Sequence, residues 1–412
     1  MDRIVAAALA VAITVYAAPA AAEPLTFDVA LQRAAANAPS VQANEAGVEA
    51  SRSAVLSAGR LPDPTLSVGL DNFPVSGPPA FSFKEDSMTM GRVGIEQAFP
   101  NPAKRRAQRG RAQANIGVAQ AELAVAAQNV RRETALAWVD LYYAKRRLTQ
   151  LQRLDEALGD LQSTVTARLA SGSARPSQAL EPEQLRALVN DRRSEFEAEV
   201  AKAKVRLARL TGDPAADVAG DPPVLEVDGP ALRAQVAWLP RLQSLDALAL
   251  VADADTELAR AEKRPDWRVS TAYGRRNPAY GDMVSVGVSI DLPLFGKHRQ
   301  DPLIAARESE ASRARLLRQA GERDLSAELD SDLADHTMHH QRLLNARNTL
   351  VPLAKRRAEL DMASYAAGKI DLGSALLSTL AEAEAEVDAL SRQADVARDV
   401  IRINYTYGEM RP

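Results

Sequence analysis

Three of the four histidines crowd into one stretch, His336, His339 and His340, beside Asp332 and Asp335. Imidazoles at 336 and 340 stand one helical turn apart, the spacing with which two ligands on one face can hold a divalent metal. Both positions also fall on the apolar stripe of Leu329, Leu333 and Leu343, so packed seam histidines are the competing reading. Met88 and Met90 are too few to argue for copper and read as strand packing. No other grouping has the makings of a reaction centre. The chain has no cysteine. It also has no Gly-x-Ser-x-Gly, no phosphate-cradling glycine loop and no His-Glu-x-x-His. Its acids and bases are interspersed, as on solvated helix faces, and a net charge of -3 gives no footing for nucleic acid. The expectation is a chain that is not an enzyme and needs no cofactor.

The elements that would position such residues come in two similar sets. Around Phe99 the chain runs GIEQAFPNPAKRRAQ, and around Pro293 it runs GVSIDLPLFGKHRQ. Around Gly172 it runs ARLASGSARPSQAL, and around Gly368 ASYAAGKIDLGSAL. RLPDPTLSVGL around Pro62 is matched by KRPDWRVSTAY around Pro265. Three landmarks in the same order, about 195–200 residues apart, make an internal duplication the economical reading. Residues 1–22 read as a cleaved signal peptide: Arg3, an apolar run from Ile4 to Ala18, then Ala20, Ala21 and Ala22 before a mature start near Glu23. Residues 23–230 form the first repeat and 231–412 the second, both merging into one body. With hydrophobic content at 46% but aromatics at only 4%, the composition is that of long helices.

In the first repeat a helix is expected from Thr26 to about Ser57, ended by Pro62 and Pro64. Strands follow at Thr65 to Asp71 and near Met88 to Gln97. From Pro102 to Leu169 there is no proline, which allows one helix about 100 Å long. Its seam runs Leu123, Ala127, Val130, Thr134, Ala137, Leu141, Ala144, Leu148, Leu151, Asp155 and Leu158 in steps of four and three, then on through Gln162, Val165 and Leu169: a coiled-coil pattern. Ser171, Gly172 and Ser173 break it, Pro176 opens a returning helix, and that helix closes near Leu210. The second repeat predicts a helix at 231–263, strands at 266–274 and 283–291, a helix at 299–366, a turn at Gly368 and a helix to about 403.

The strands alternate. Leu66, Val68 and Leu70, then Trp267, Val269 and Tyr273, then Val284, Val286, Val288 and Ile290 face one way. Serines, glycines and charges face the other. This pattern suits lipid outside and water inside, or a sheet with one side on a protein core. A sheet in hydrocarbon cannot leave its edges unpaired, and the smallest membrane barrels have about eight strands. Four strands per chain would therefore have to be completed by other copies.

These features resemble the TolC family of outer-membrane efflux proteins across essentially the whole mature chain. The resemblance rests on the paired tip motifs Arg168-Leu169-Ala170-Ser171-Gly172 and Tyr365-Ala366-Ala367-Gly368, and on Leu210-Thr211-Gly212-Asp213. It implies a mixed α and β membrane protein: a homotrimer with a shared twelve-stranded transmembrane β-barrel and a long α-helical coiled-coil barrel reaching into the periplasm. It also implies a periplasmic adaptor and an inner-membrane pump of the RND type as partners, with outer-membrane lipid around the barrel. Leu61-Pro62-Asp63-Pro64-Thr65, and Gln97-Ala98-Phe99-Pro100 followed by Lys104 and Arg105, are similar to the heavy-metal-efflux, CzcC-like branch. The expected function is an exit duct conducting heavy-metal cations or other small toxic solutes. An outer-membrane exit for drugs or secreted protein, and a periplasmic coiled-coil adaptor or scaffold without a pore, are the alternatives. The tip residues Arg168, Gly172, Tyr365, Gly368, Lys369 and Asp371 are the candidates for adaptor contact and gating. The family's two aperture aspartates fall here on Ser374 and Leu377, so an acidic ring does not carry over.

Overall fold

The structure is a computed structural model that describes residues 24–170 and 180–408. The expected signal peptide, Gly172 and Pro176 lie outside the described residues, as does the side chain of Arg168. Among the described residues the chain runs α1 (Phe27–Asn37), α2 (Pro39–Ser57), β1 (Thr65–Asp71), β2 (Met90–Phe99), α3 (Pro102–Ala170) and α4 (Leu180–Thr211). It continues with α5 (Gly229–Gln235), α6 (Pro240–Ala261), β3 (Asp266–Arg275), β4 (Met283–Asp291), α7 (Gln300–Asn345), α8 (Val351–Ala366) and α9 (Leu372–Tyr407). Each half thus lays down helix pair, strand, strand, long helix and returning helix in the same order.

Three helices expected to be continuous are interrupted, each beside a proline. The helix over 26–57 breaks at Ala38, whose backbone is extended, with Pro39 opening α2. The helix over 231–263 breaks through a 3-10 turn at Val236–Trp238, and Pro240 opens α6. Proline has no N–H to continue the ladder but fits a first turn, so each break restarts as a new helix. The helix over 299–366 carries a π-helical turn at Ala346–Leu350 just before Pro352. The second strand begins and ends about two residues later than its alternation suggested, at Met90 and Phe99. By contrast α3 is a single helix of 69 residues. Every described seam position from Leu123 to Leu158 is buried or half-buried.

The chain divides into two compact units. The first combines residues 24–37, 133–225 and 338–401. Its apolar centre includes Trp138, fully buried, whose Nε1 donates to the Leu25 carbonyl at 2.8 Å. Phe27 meets the Trp138 ring edge-on at 5.5 Å, and Tyr142 stacks on it at 5.6 Å. A second cluster gathers Leu151, Leu154, Leu158, Leu185, Val189, Leu372 and Leu376 from α3, α4 and α9. The second unit combines residues 38–132, 226–337 and 402–408. Its core packs Leu232, Leu239, Leu242, Leu325, Leu329, Ile403 and Tyr407. It also holds the sheet, a four-stranded antiparallel β1-β2-β3-β4 whose outer strands β1 and β4 each leave one edge unpaired among the described residues. No described helix is long and apolar enough to cross a membrane.

Candidate functional site: the two-faced sheet and the α8–α9 turn

The register of the sheet decides which residues share a face. Directly paired residues project to the same side. Leu66 pairs with Ile95, Ile95 with Thr271, and Thr271 with Val286. The next row reads Val68, Val93, Tyr273 and Val284. Two further rows read Gln97, Val269 and Val288, then Phe99, Trp267 and Ile290. Every strand therefore contributes to one apolar surface.

All ten predicted lipid-facing residues lie on that surface: Leu66, Val68, Leu70, Trp267, Val269, Tyr273, Val284, Val286, Val288 and Ile290. All ten are exposed, Val68 at 75% and Val286 at 74%. This excludes the reading in which the apolar side covers a core of the same chain. Sequence reasoning missed the contribution of β2, whose Val93, Ile95 and Phe99 are exposed on the same face. The alternation was present there, but Gly91 and Gln97 interrupt it. Gln97 is not stranded among apolar groups: its Nε2 donates to the Pro62 carbonyl at 2.8 Å and to the Ala98 carbonyl at 2.9 Å.

The opposite face is small and charged. One row reads Ser67, Gly94, Ala272 and Ser285, and the next Gly69, Arg92, Gly274 and Met283. A Cβ at Gly94 would come within 2.9 Å of the Ser67 Oγ and 3.2 Å of the Ala272 Cβ, so a side chain there requires its neighbours to shift. Arg92 pairs with Asp71 at 3.2 Å and Arg268 with Asp291 at 2.9 Å. Aromatic residues gather at both ends of the strands. Phe99 sits opposite Trp267 where β2 hands over to α3. At the far end Tyr273 lies near the hairpin turn, its hydroxyl donating to Asp282. In the β1–β2 loop Phe73 packs on Phe83 with ring centroids 4.7 Å apart.

Two of the residues that carry the metal-branch resemblance, Lys104 and Arg105, sit at a joint beside Asn101. The Asn101 backbone N–H donates to Asp266 at 2.7 Å, and Lys104 Nζ reaches the other oxygen of Asp266 at 3.0 Å. Arg105 Nε donates to the Gly59 carbonyl at 2.8 Å. These bonds tie the start of α3 to the start of β3 and to the end of α2.

The turn between α8 and α9 is a two-part cap. Gly368 adopts φ +71°. Its N–H donates to the Tyr365 carbonyl and that of Lys369 to the Ser364 carbonyl, both at 2.9 Å. This Schellman arrangement ends α8 with the left-handed residue that glycine tolerates best. Asp371 then caps α9, accepting from the Ser374 N–H and the Ser374 hydroxyl at 2.8 Å each. Those hydrogen bonds, the backbone one first, hold the Asp371 carboxyl below the usual range. Tyr365 is half-buried against the Leu151–Leu372 cluster, and Lys369 is exposed. Ser374 is tied up in the cap, while Leu377 is 65% exposed. A residue that sequence reasoning missed joins them. Glu181, on α4, has its carboxyl beside Gly373. Burial, then the charge of Asp371, pushes that carboxyl up. Distance along the chain hid the pairing.

The histidine stretch behaves differently from its expectation. His340 is exposed and so leaves the packed stripe, while His339 turns inward. His339 Nδ1 lies 2.6 Å from an oxygen of Asp399, which is buried. Among the described residues no three His, Asp or Glu side chains come together in a way that could hold a metal.

No known family's sequence profile matches the chain, and no curated protein matches it. Solved structures do. A membrane protein from Pseudomonas aeruginosa superposes with a TM-score of 0.78 at 13% identity, over 93% of this chain and 90% of the other. The CmeC outer-membrane channel of Campylobacter jejuni gives 0.77 at 12% identity, over 93% and 85%. The open MtrE outer-membrane channel of Neisseria gonorrhoeae gives 0.73 at 15% identity, over 93% and 88%. The chain shares the fold of these membrane proteins.

Proposed function

We propose that the chain is a subunit of an outer-membrane channel, the exit duct of a tripartite efflux system. The single observation that carries this reading is an exposed apolar face continuous over four strands, flanked by two open edges, on a fold shared with outer-membrane channels. Unpaired backbone groups cannot persist in hydrocarbon, so copies must join edge to edge. β1 and β4 run antiparallel to one another, so β4 of one copy meets β1 of the next with the same alternation. Three copies give the twelve strands that the resemblance implies.

In this reading residues 23–230 and 231–412 are the two repeats of one body, and residues 1–22 are an export signal. The polar face of the sheet lines the water-filled side and the helices extend the duct into the periplasm. The α8–α9 turn, with its counterpart at Gly172, is where an adaptor docks and where opening begins. An inner-membrane pump of the RND type supplies the energy, so this chain conducts passively and does no chemistry. The cargo is heavy-metal cations or other small toxic solutes. The joint role of Lys104 and Arg105 means that their resemblance to the metal branch speaks for a shared hinge between strand and helix rather than for a metal site.

Extraction of the protein from outer membranes in detergent, followed by mass determination and planar-bilayer recording, tests the duct. A trimer with steady ion conductance is expected; a freely dissolved monomer without affinity for micelles overturns the reading. Tyr365→Phe combined with Arg168→Ser is expected to raise conductance, and unchanged conductance removes those residues from the gate. Deletion of the gene and growth on a panel of metals, drugs and dyes assigns the cargo. Sensitivity confined to organic compounds removes the metal cations.

A further inference from the structure

The first unit contains an open cleft of about 460 Å³ between α3, α9 and the π-helical turn that precedes α8. Helix α3 lines it with Arg146, Gln150 and Arg153, spaced over two turns of one face. The π turn adds Arg347, and α9 adds Gln393. The floor is apolar, with Val351 and Leu390. Against three guanidinium groups the cleft wall has one carboxylate, Glu386, which already accepts from the Gln150 amide.

Several other arginines of this unit are paired with acids. Arg147 pairs with Glu199 at 2.7 Å, Arg186 with Asp155 at 3.0 Å, and Arg398 with Asp140 at 2.6 Å. Arg146 instead donates to the Tyr142 hydroxyl at 2.6 Å and lies over the same ring, with Asp221 reached only through that hydroxyl. Arg153 and Arg347 make no ion pair among the described residues. Arginine's planar fork matches phosphate and carboxylate oxygens two at a time, and partial enclosure strengthens such contacts. The volume falls within the range of small-molecule sites.

We propose that this cleft binds a compact polyanion carrying two or more phosphate or carboxylate groups. Arg153 and Arg347 grip the anionic groups from opposite walls, Arg146 sets the third charge, and the amide of Gln393 supplies a neutral donor. The proposal does not depend on the channel reading, because the cleft is complete within one chain.

Calorimetric titration of the purified protein in detergent micelles tests it, with pyrophosphate and citrate as separate probes at low ionic strength, where charge contacts are least screened. Saturable binding at one site per chain is expected. Arg153→Gln combined with Arg347→Gln should weaken it by about tenfold or more, in line with the loss of charge-assisted hydrogen bonds. Arg356→Gln, an exposed arginine of α8 outside the cleft, should leave it unchanged. The tighter of the two probes names the anionic group. Absence of saturable binding for both probes, or an equal loss in Arg356→Gln, overturns the proposal. Should the double variant lose its cooperative melting, Arg347→Lys carries the test, since it keeps the charge and loses the fork. A several-fold weaker affinity then supports the cleft, and an unchanged one overturns it.

Discussion

The middle of α3 and the strand β4 are made of similar apolar residues and meet opposite fates. From Ala135 to Ala144 the helix buries Trp138, Val139, Leu141 and Tyr143 almost completely. From Val284 to Ile290 the strand leaves Val284, Val286, Val288 and Ile290 open. The helix finds its partners inside the chain; the strand does not. Apolar area contributes to stability only when something covers it, at roughly 25 cal/mol per Å². The helical region therefore stabilises a single chain, and the sheet stabilises only what surrounds it.

This contrast can be broken first at Trp138. Trp138→Ala removes a fully buried ring and its hydrogen bond to Leu25, and should cost about 3–5 kcal/mol whether or not the protein is assembled. Chemical denaturation of isolated chains checks it, and an effect confined to assembled protein would erase the distinction. Val286→Arg should behave in the opposite way. On a lipid-facing strand it costs about 2–4 kcal/mol near mid-membrane, so assembled oligomer in outer membranes should fall while Ser285→Arg on the other face is tolerated. Equal effects of the two substitutions would mean that the faces are not distinguished by lipid.

The turn sharpens the same contrast, because its energetics are local to one chain. Gly368→Ala meets open space, so only the backbone conformation opposes it, at about 1–2 kcal/mol. Gly47→Ala, in mid-α2 and equally open, should instead stabilise by about 0.5–1 kcal/mol. Thermal melting of the two variants separates the signs. The smallest effect is expected at Asp371. Its carboxyl is held low by the Ser374 bonds, so the cap is fully present above the ordinary carboxylate value near 4 and fades as pH falls through the lower folded value. The melting difference between the protein and Asp371→Ala should be steady at neutral pH and vanish in acid. A difference that persists at pH 2 would assign Asp371 another role.

Much of this was legible in the residues, for physical reasons. A proline-free run with a seven-residue apolar repeat admits few structures other than one long helix, and α3 follows it end to end. Alternation exposed β1 and β4, where the period of two survives unbroken, and β3, where only Thr271 interrupts the apolar row. Gly91 and Gln97 blurred it in β2, where tertiary pairing, not side-chain type, sets the face. Pro39 and Pro240 were visible, yet alanine-rich periodicity runs straight through both and masked the breaks. At the candidate turn, glycine and aspartate announced the cap. Glu181 did not announce itself, since nothing local to it encodes the approach of Gly373. The three arginines of the cleft, separated by up to two hundred positions, become a group only when α3 and the π turn meet.

The raw flanks of the sheet bear on how such an assembly is made. In the proposed ring every open arc keeps two unsatisfied borders in hydrocarbon, however many members it holds. The last arrival removes its own two borders together with the two of the arc. On the proposed duct reading no open arc is fully satisfied in lipid, so the copies would find one another before, or as, they enter the bilayer.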